Sequence, residues 1–151
     1  MAPMIGLATI QIQRKNMGRI ITPVTITNAR NQEFKLLCDA LVDTGASHMV
    51  LPLAWKEKLG DIEHVETIEV ELADQSPQTA EICGPVKIQI EGFRPIYSEV
   101  LFLDMQPEEG SYEPLVGYIV LEQSQAGVDM VGHRLVHIKR LDLKGFRNRR
   151  S

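Results

Sequence analysis

Ala40-Leu41-Val42-Asp43-Thr44-Gly45-Ala46-Ser47 is the stretch on which the fold turns. Asp43 follows a run of strand-like apolar residues and precedes a Thr-Gly turn. A carboxylate at the end of a buried strand is costly unless something compensates it. The compensation available is a tight loop whose backbone N–H groups and Thr44 hydroxyl can hydrogen-bond it. Gly45 lets that loop turn sharply and lets another chain come close, because no Cβ is in the way. The plainer reading is an Asx-turn, in which Asp43 only caps a bend. A pattern of Asp, Ser or Thr, Gly, then Ala or Ser arises by composition in roughly one chain in a hundred of this length. The tetrapeptide alone is therefore suggestive. The apolar strand before it and Met49-Val50-Leu51-Pro52 after it carry it further.

Outward from this stretch, strand signals dominate. Val24 and Ile26 alternate with Thr25 and Thr27, Asn28 to Asn31 reads as a turn, and Glu33 to Ala40 as a returning strand. That predicts a hairpin over 22–40. Upstream, Ala8, Ile10 and Ile12 alternate with polar residues, which predicts an N-terminal strand within 1–17. Downstream, Pro52 followed by Leu53 to Leu59 and Gly60 predicts a short helix, with Pro near its start and Gly past its end. Ile68, Val70 and Leu72 alternate with polar residues, Asp74 to Pro77 interrupts, and Thr79 to Ile82 returns, which is a second hairpin with a polar tip. Val86, Ile88 and Ile90 form a further alternating strand. Val100 to Leu103 is continuously apolar, as in a strand covered on both faces. Met105 to Glu113 reads as a polar loop. Leu115-Val116-Gly117 leads into a second short helix over 118–125, and 128–130 with 135–138 predicts a closing hairpin. Many short strands with one or two short helices predict an all-β barrel or sandwich.

Composition narrows the function classes. The chain has 151 residues, 44% hydrophobic and 24% charged, which is ordinary for one globular domain. No apolar run approaches the ~20 residues of a membrane-spanning helix. Met1 to Gln13 lacks the basic start and apolar core of a secretory signal, so the expected location is cytoplasmic. Residues 1–139 carry 11 Lys or Arg against 19 Asp or Glu, a balance of −8, while residues 140–151 carry five basic residues and one acidic, a balance of +4. The acidic body disfavours nucleic acid as a partner. The basic tail (Arg140, Lys144, Arg147, Arg149, Arg150) could meet a phosphate backbone or an acidic partner, although a solvated chain end is its ordinary reading. Cys38 and Cys83 have no metal-site spacing and read as buried free thiols. The four histidines do not cluster, so no metal site is expected.

The sequence resembles the retropepsin-like aspartic proteases, the family of the retroviral proteases and their single-domain bacterial and cellular relatives. The matching residues are Leu41 to Ser47, then Val50-Leu51-Pro52, and, 70-odd positions after the first, Leu115-Val116-Gly117 with Leu121-Glu122-Gln123 behind it. The hairpin over 68–82 lies where the family carries its flap. The resemblance spans roughly 18–139 and leaves 1–17 and the tail 140–151 outside it. It implies a retropepsin-like acid-protease barrel, one lobe per chain. It implies Asp43 as the catalytic residue, supported by Thr44, Gly45 and Ala46, with Leu115, Val116 and Gly117 structural beside it. Ala73, Asp74, Gln75, Ser76, Pro77 and Gln78 are the candidate flap. It implies an aspartic endopeptidase acting on an extended peptide, with no metal and no cofactor. In the family two such aspartates share one proton: the ionised member is a general base toward water and the protonated one polarises the scissile carbonyl. Asp39, Asp74 and Asp129 lack a following Thr/Ser-Gly, so the second aspartate is expected from a second copy, in a homodimer.

Three departures stand beside the match. The retroviral members carry an Arg after the apolar-apolar-Gly element and an acidic residue just past the catalytic loop, where this chain has Tyr118 and Ser47. The hairpin tip is short and without glycine. His48 has no counterpart and is expected at the surface. These departures motivate a rival reading, a non-catalytic dimeric module that holds a peptide without cutting it. A weaker rival is a nucleic-acid or ribosome-associated protein that uses its Arg-rich tail.

Overall fold

The computed structural model describes residues 18–71 and 75–138. The expected N-terminal strand, the basic tail, and Ala73 and Asp74 of the hairpin tip lie outside the described residues.

Among the described residues there are nine strands: β1 Ile21–Asn28, β2 Lys35–Val42, β3 Met49–Pro52, β4 Glu63–Glu71, β5 Pro77–Ile90, β6 Ile96–Leu103, β7 Leu115–Val116, β8 Ala126–Asp129 and β9 Arg134–His137. One α-helix, α1, runs Tyr118–Ser124, and Leu53–Leu59 forms a tighter 3-10 helix. Seven strands make one sheet in the order β1-β2-β7-β3-β6-β5-β4, and a β1–β5 pairing closes six of them into a ring. β4 hangs outside the ring on β5, and β8–β9 is a separate two-stranded sheet. The all-β expectation holds.

The expected hairpin over 22–40 is β1–β2, antiparallel from Ile21↔Leu41 to Thr27↔Lys35. Asn28 explains its turn. The buried Asn28 Oδ1 accepts the N–H groups of Arg30 (2.8 Å) and Asn31 (3.2 Å), while its Nδ2 donates to Leu59 O (2.8 Å) and Asp61 O (3.2 Å). One side chain thus bends the chain and ties the turn to the end of the 3-10 helix, as a buried amide must if its hydrogen bonds are to be met.

The segments 79–82 and 86–90, read as separate strands, belong to one strand, β5. The register slips between Cys83 and Val86 against β6, so the strand bends there without ending. This bend gives β5 two sets of partners. Residues 77–84 pair with β4, and residues 86–90 pair with β1. Gly84 and Pro85 look like punctuation in the sequence, yet the ladder resumes on the far side because three neighbouring strands hold it.

Alternation on β3 and β6 builds two cores. Met49, Leu51, Val100 and Phe102 point into the main core with Ile26, Ile88, Ile90 and Val116. Val50, Leu101 and Leu103 point the other way, into a second cluster with Leu41, Ala46, Val70, Ala80, Ile82 and Leu115. The continuous apolar run 100–103 is explained by this covering of both faces. The second cluster packs the β4–β5 hairpin down onto the loop that contains Ala46.

The two thiols differ from expectation in one respect. Cys83 is buried within the main core, but Cys38, on β2, is only half-buried and packs against that core. Burial pushes the Cys38 thiol up to about 12, and Asp39 beside it adds to the shift. A thiol held neutral in the fold binds its proton more tightly than in the unfolded chain, so its contribution is intact below its ordinary value of 9.0 and is lost above it. Stability should therefore fall more steeply above pH ~9 in the native chain than in Cys38→Ala. Urea midpoints at pH 8 and pH 10.5 measure it, and equal slopes in both proteins would refute it.

Candidate functional site

β7 is two residues long, yet it decides the geometry of the site. It lies between β2, which it pairs in parallel (Leu41↔Leu115, Val42↔Val116), and β3, which it pairs at Val50↔Leu115. The loop 43–48 therefore leaves β2, passes around the end of β7 and returns as β3. Backbone bonds stitch it to both neighbours. Leu41 N–H donates to Pro114 O (2.9 Å), Asp43 N–H to Val116 O (2.9 Å), and Val42 N–H to Ile20 O (2.9 Å). An ion pair between Arg19 and Glu113 joins the approach to β1 with the approach to β7.

Asp43 stands at the head of this loop with 0% of its surface exposed. Its Oδ1 accepts the backbone N–H of Gly45 at 2.8 Å and of Ala46 at 3.2 Å, and its own carbonyl accepts from Ala46 N–H at 3.1 Å. This is the compensation the sequence called for: a buried carboxylate held by backbone donors, each charge-assisted bond stronger than a neutral one. Thr44 and Gly45 are exposed at the surface directly after it, while Ala46 is buried and joins the second apolar cluster. The Asx-turn and the functional reading are thus the same geometry, since the turn is what fixes the carboxylate.

The far side of the loop is fastened to α1. Tyr118 N–H donates to Ala46 O (2.8 Å) and Ile119 N–H to Ser47 O (3.1 Å), so two of the N–H groups that a helix start leaves without partners are spent on the loop. Gly117 is what allows this approach. A Cβ there would run into the backbone of Ser47 and His48. The sequence elements Asp43-Thr44-Gly45 and Leu115-Val116-Gly117 are therefore in direct contact, and Leu115, Val116 and Gly117 each have a separate part in holding the loop.

His48 departs from its expected surface position. It is half-buried: Ser47 Oγ and His48 Nδ1 share a hydrogen bond of 2.8 Å, and Nε2 lies 3.6 Å from Glu99 Oε1 on β6. Sequence reading missed this cluster because Glu99 is far along the chain, although the parallel pairing of β3 with β6 brings it alongside. Pro77 and Gln78 already belong to β5, where Gln78 Nε2 donates to Asp104 O at 2.8 Å, and Gln75 and Ser76 precede them in the turn, with Gln75 in the left-handed region. Among the described residues no group of three His, Cys, Asp or Glu side chains could hold a metal ion, and no helix is long and apolar enough to cross a membrane.

Residues 22–118 match the aspartyl protease family model, which is well over half the chain and runs from β1 through the start of α1. The chain belongs to the aspartyl protease family. The EIAV protease complexed with the inhibitor HBY-793 is a similar solved structure, at 22% identity over 70% of this chain and 86% of that one, with a TM-score of 0.51. That likeness fixes the retropepsin-like fold, one lobe per chain. No curated protein matches the sequence. Tyr118 and Ser47, where the sequence departs from the retroviral pattern, each take part in one of the backbone bonds that join helix and loop.

Gly117→Ala should force loop and helix apart and destabilise the fold by about 1–3 kcal/mol, the usual cost of overpacking a tight site. A denaturant titration reads it. An unchanged midpoint would mean that the Ser47–His48 backbone yields without cost.

Proposed function

We propose that the chain is an aspartic endopeptidase that works as a homodimer, with one Asp43 from each copy and a water between them. The observation that carries this is the seating of Asp43. A carboxylate whose Oδ1 is fixed by the Gly45 and Ala46 N–H groups cannot swing, and a fixed carboxylate is what general base catalysis requires. Among the described residues only one Asp-Thr-Gly loop is present, and the chemistry needs two carboxylates that share a proton. The partner's Asp43 supplies the second. The exposed Thr44 and Gly45 leave the loop free to meet its copy across a two-fold axis.

In this reading the ionised aspartate draws a proton from the water as the water attacks the scissile carbonyl. The protonated aspartate donates to that carbonyl oxygen. Neither proton belongs to one residue, since the two titrate as a pair. The substrate is an extended peptide, which would lie between the loops and the β4–β5 hairpin and add strand-like hydrogen bonds. The base of that hairpin is packed into the second apolar cluster through Val70, Ala80 and Ile82, so any opening is confined to the turn beyond it.

One observation favours the rival reading. In the single chain Asp43 is buried, so catalysis requires assembly or substrate binding to bring water to it. A carboxylate that stayed sealed would leave a peptide-binding module.

A peptide-library digest between pH ~4 and 7, which brackets carboxylate titration, separates the two. We expect cleavage, strongest on the acidic side of neutral. Asp43→Asn should lower it by at least about 100-fold, the low end of what general acid–base catalysis contributes, with solution mass unchanged. Cleavage that persists in Asp43→Asn, or binding of peptides with no cleavage by the native chain, would overturn the endopeptidase.

A further inference from the structure

The β8–β9 hairpin holds apolar surface out in water, and it does so with a built turn. Its inner end is well anchored. Ala126 is buried, Val128 and Leu135 pack against the main core, His137 stacks on Phe93 at 4.4 Å, and His137 Nε2 lies 3.0 Å from Gly92 O. Its outer end is fixed too. Asp129 Oδ1 accepts Gly132 N–H at 3.0 Å, Asp129 Oδ2 accepts Arg134 Nε–H at 3.2 Å, and His133 takes a left-handed conformation to complete the bend. The Gly132 N–H and the Arg134 guanidinium hold the Asp129 carboxyl below the usual range. A turn stiffened this way would ordinarily carry polar residues at its crest. This one carries Met130, 54% exposed, and Val131, 93% exposed.

The place of this crest matters. The His133 ring lies against Gly18, where there is no room for a side chain. Two residues on, Ile20 O accepts the N–H of Val42, the residue before Asp43. The hairpin turn therefore sits beside the entry to β1, next to the end of the catalytic strand. Tyr118, 44% exposed, borders the same loop from the other side through its bond to Ala46.

We infer that the β8–β9 turn is a dimerisation clasp, in which Met130 and Val131 of each copy seat on apolar surface of the second copy beside the paired Asp43 loops. This rests on the homodimeric reading above. A second copy is the occupant because the site is incomplete without it. The two-fold operation that brings two Asp43 loops face to face also brings whatever flanks one loop against the other copy. A rigid turn has little conformational freedom left to lose on contact, which suits it to this use.

The test is solution mass over a concentration series, run alongside the peptidase assay, for the full-length chain, Val131→Asp, the milder Met130→Ser, and Leu37→Asp. Leu37 is another strongly exposed apolar residue, between Met130 and Val131 in exposure, near the far end of β2. We expect the native chain and Leu37→Asp to dimerise alike. Val131→Asp should raise the dimer dissociation constant at least ~10-fold, about 1.4 kcal/mol. Met130→Ser should raise it less. Activity in both should fall at low protein concentration and return at high concentration, with the unfolding midpoint of the monomer unchanged. Val131→Asp that dimerises as the native chain does would overturn the clasp and leave the homodimer standing. A lowered monomer midpoint with native dimerisation would mean that the chain's own residues cover the turn, which also overturns it. A native chain that cleaves peptides while monomeric at every concentration would overturn the homodimer and the clasp together.

Discussion

Everything near the site depends on keeping one buried carboxylate in place. Asp43 gives up its water at the end of β2, and the loss is offset by backbone N–H groups from Gly45 and Ala46. Those donors point correctly only if the loop 43–48 has one shape. The shape is fixed from three directions: by β7 beneath it, by Ile20 beside it, and by the first N–H groups of α1 behind it. None of these is a side chain with a catalytic role. The site is a problem in backbone placement, and this is why a two-residue strand and one glycine matter as much as the aspartate.

That constraint explains why the barrel is built as it is. β7 can pair with β2 and β3 at once only because the loop from β2 goes around it, and β3 then continues beside β6 in parallel. Parallel neighbours are covered on both faces. β3 and the half of β6 that pairs with it, Val100 to Leu103, accordingly carry apolar residues at every position, serving the main core with one set and the second cluster with the other. The second cluster is not spare packing. It reaches from Ala46 in the loop to Val70, Ala80 and Ile82 in the β4–β5 hairpin, so loop and hairpin are parts of one apolar body.

The legible parts of the sequence were those where a local pattern and its structural purpose coincide. Asp43-Thr44-Gly45 and Leu115-Val116-Gly117 are short, ordered, and in contact in the fold, and alternation located most strands. What escaped reading was decided by tertiary neighbours. Gly84-Pro85 looks like a strand break, yet β4, β6 and β1 hold β5 together across it. Cys38 sits in an apolar run, yet it packs against the core without being enclosed by it, and the run alone does not tell the two apart. His48 gave no sign of Glu99, because the two meet only through the β3–β6 pairing. Pro77 read as part of the turn, but it opens β5, where the first position of a strand tolerates a missing N–H.

The same asymmetry bears on assembly. A chain of this size can bury one core and one carboxylate loop, and a pair of such loops within a single chain would take a second lobe. Making the second loop by symmetry costs no sequence, but it moves part of the binding problem to the surface. If the chain works as the proposed homodimer, some apolar area stays exposed in the lone chain for the second copy to cover, and area of that kind carries an aggregation risk if it is broad or flexible. A stiff turn with two adjacent apolar residues is a small, shaped way to hold it. The hydrogen bonding of Asp129 and the left-handed His133 fix the bend, and on that ground they hold the bare Val131 in one place for a second copy to meet.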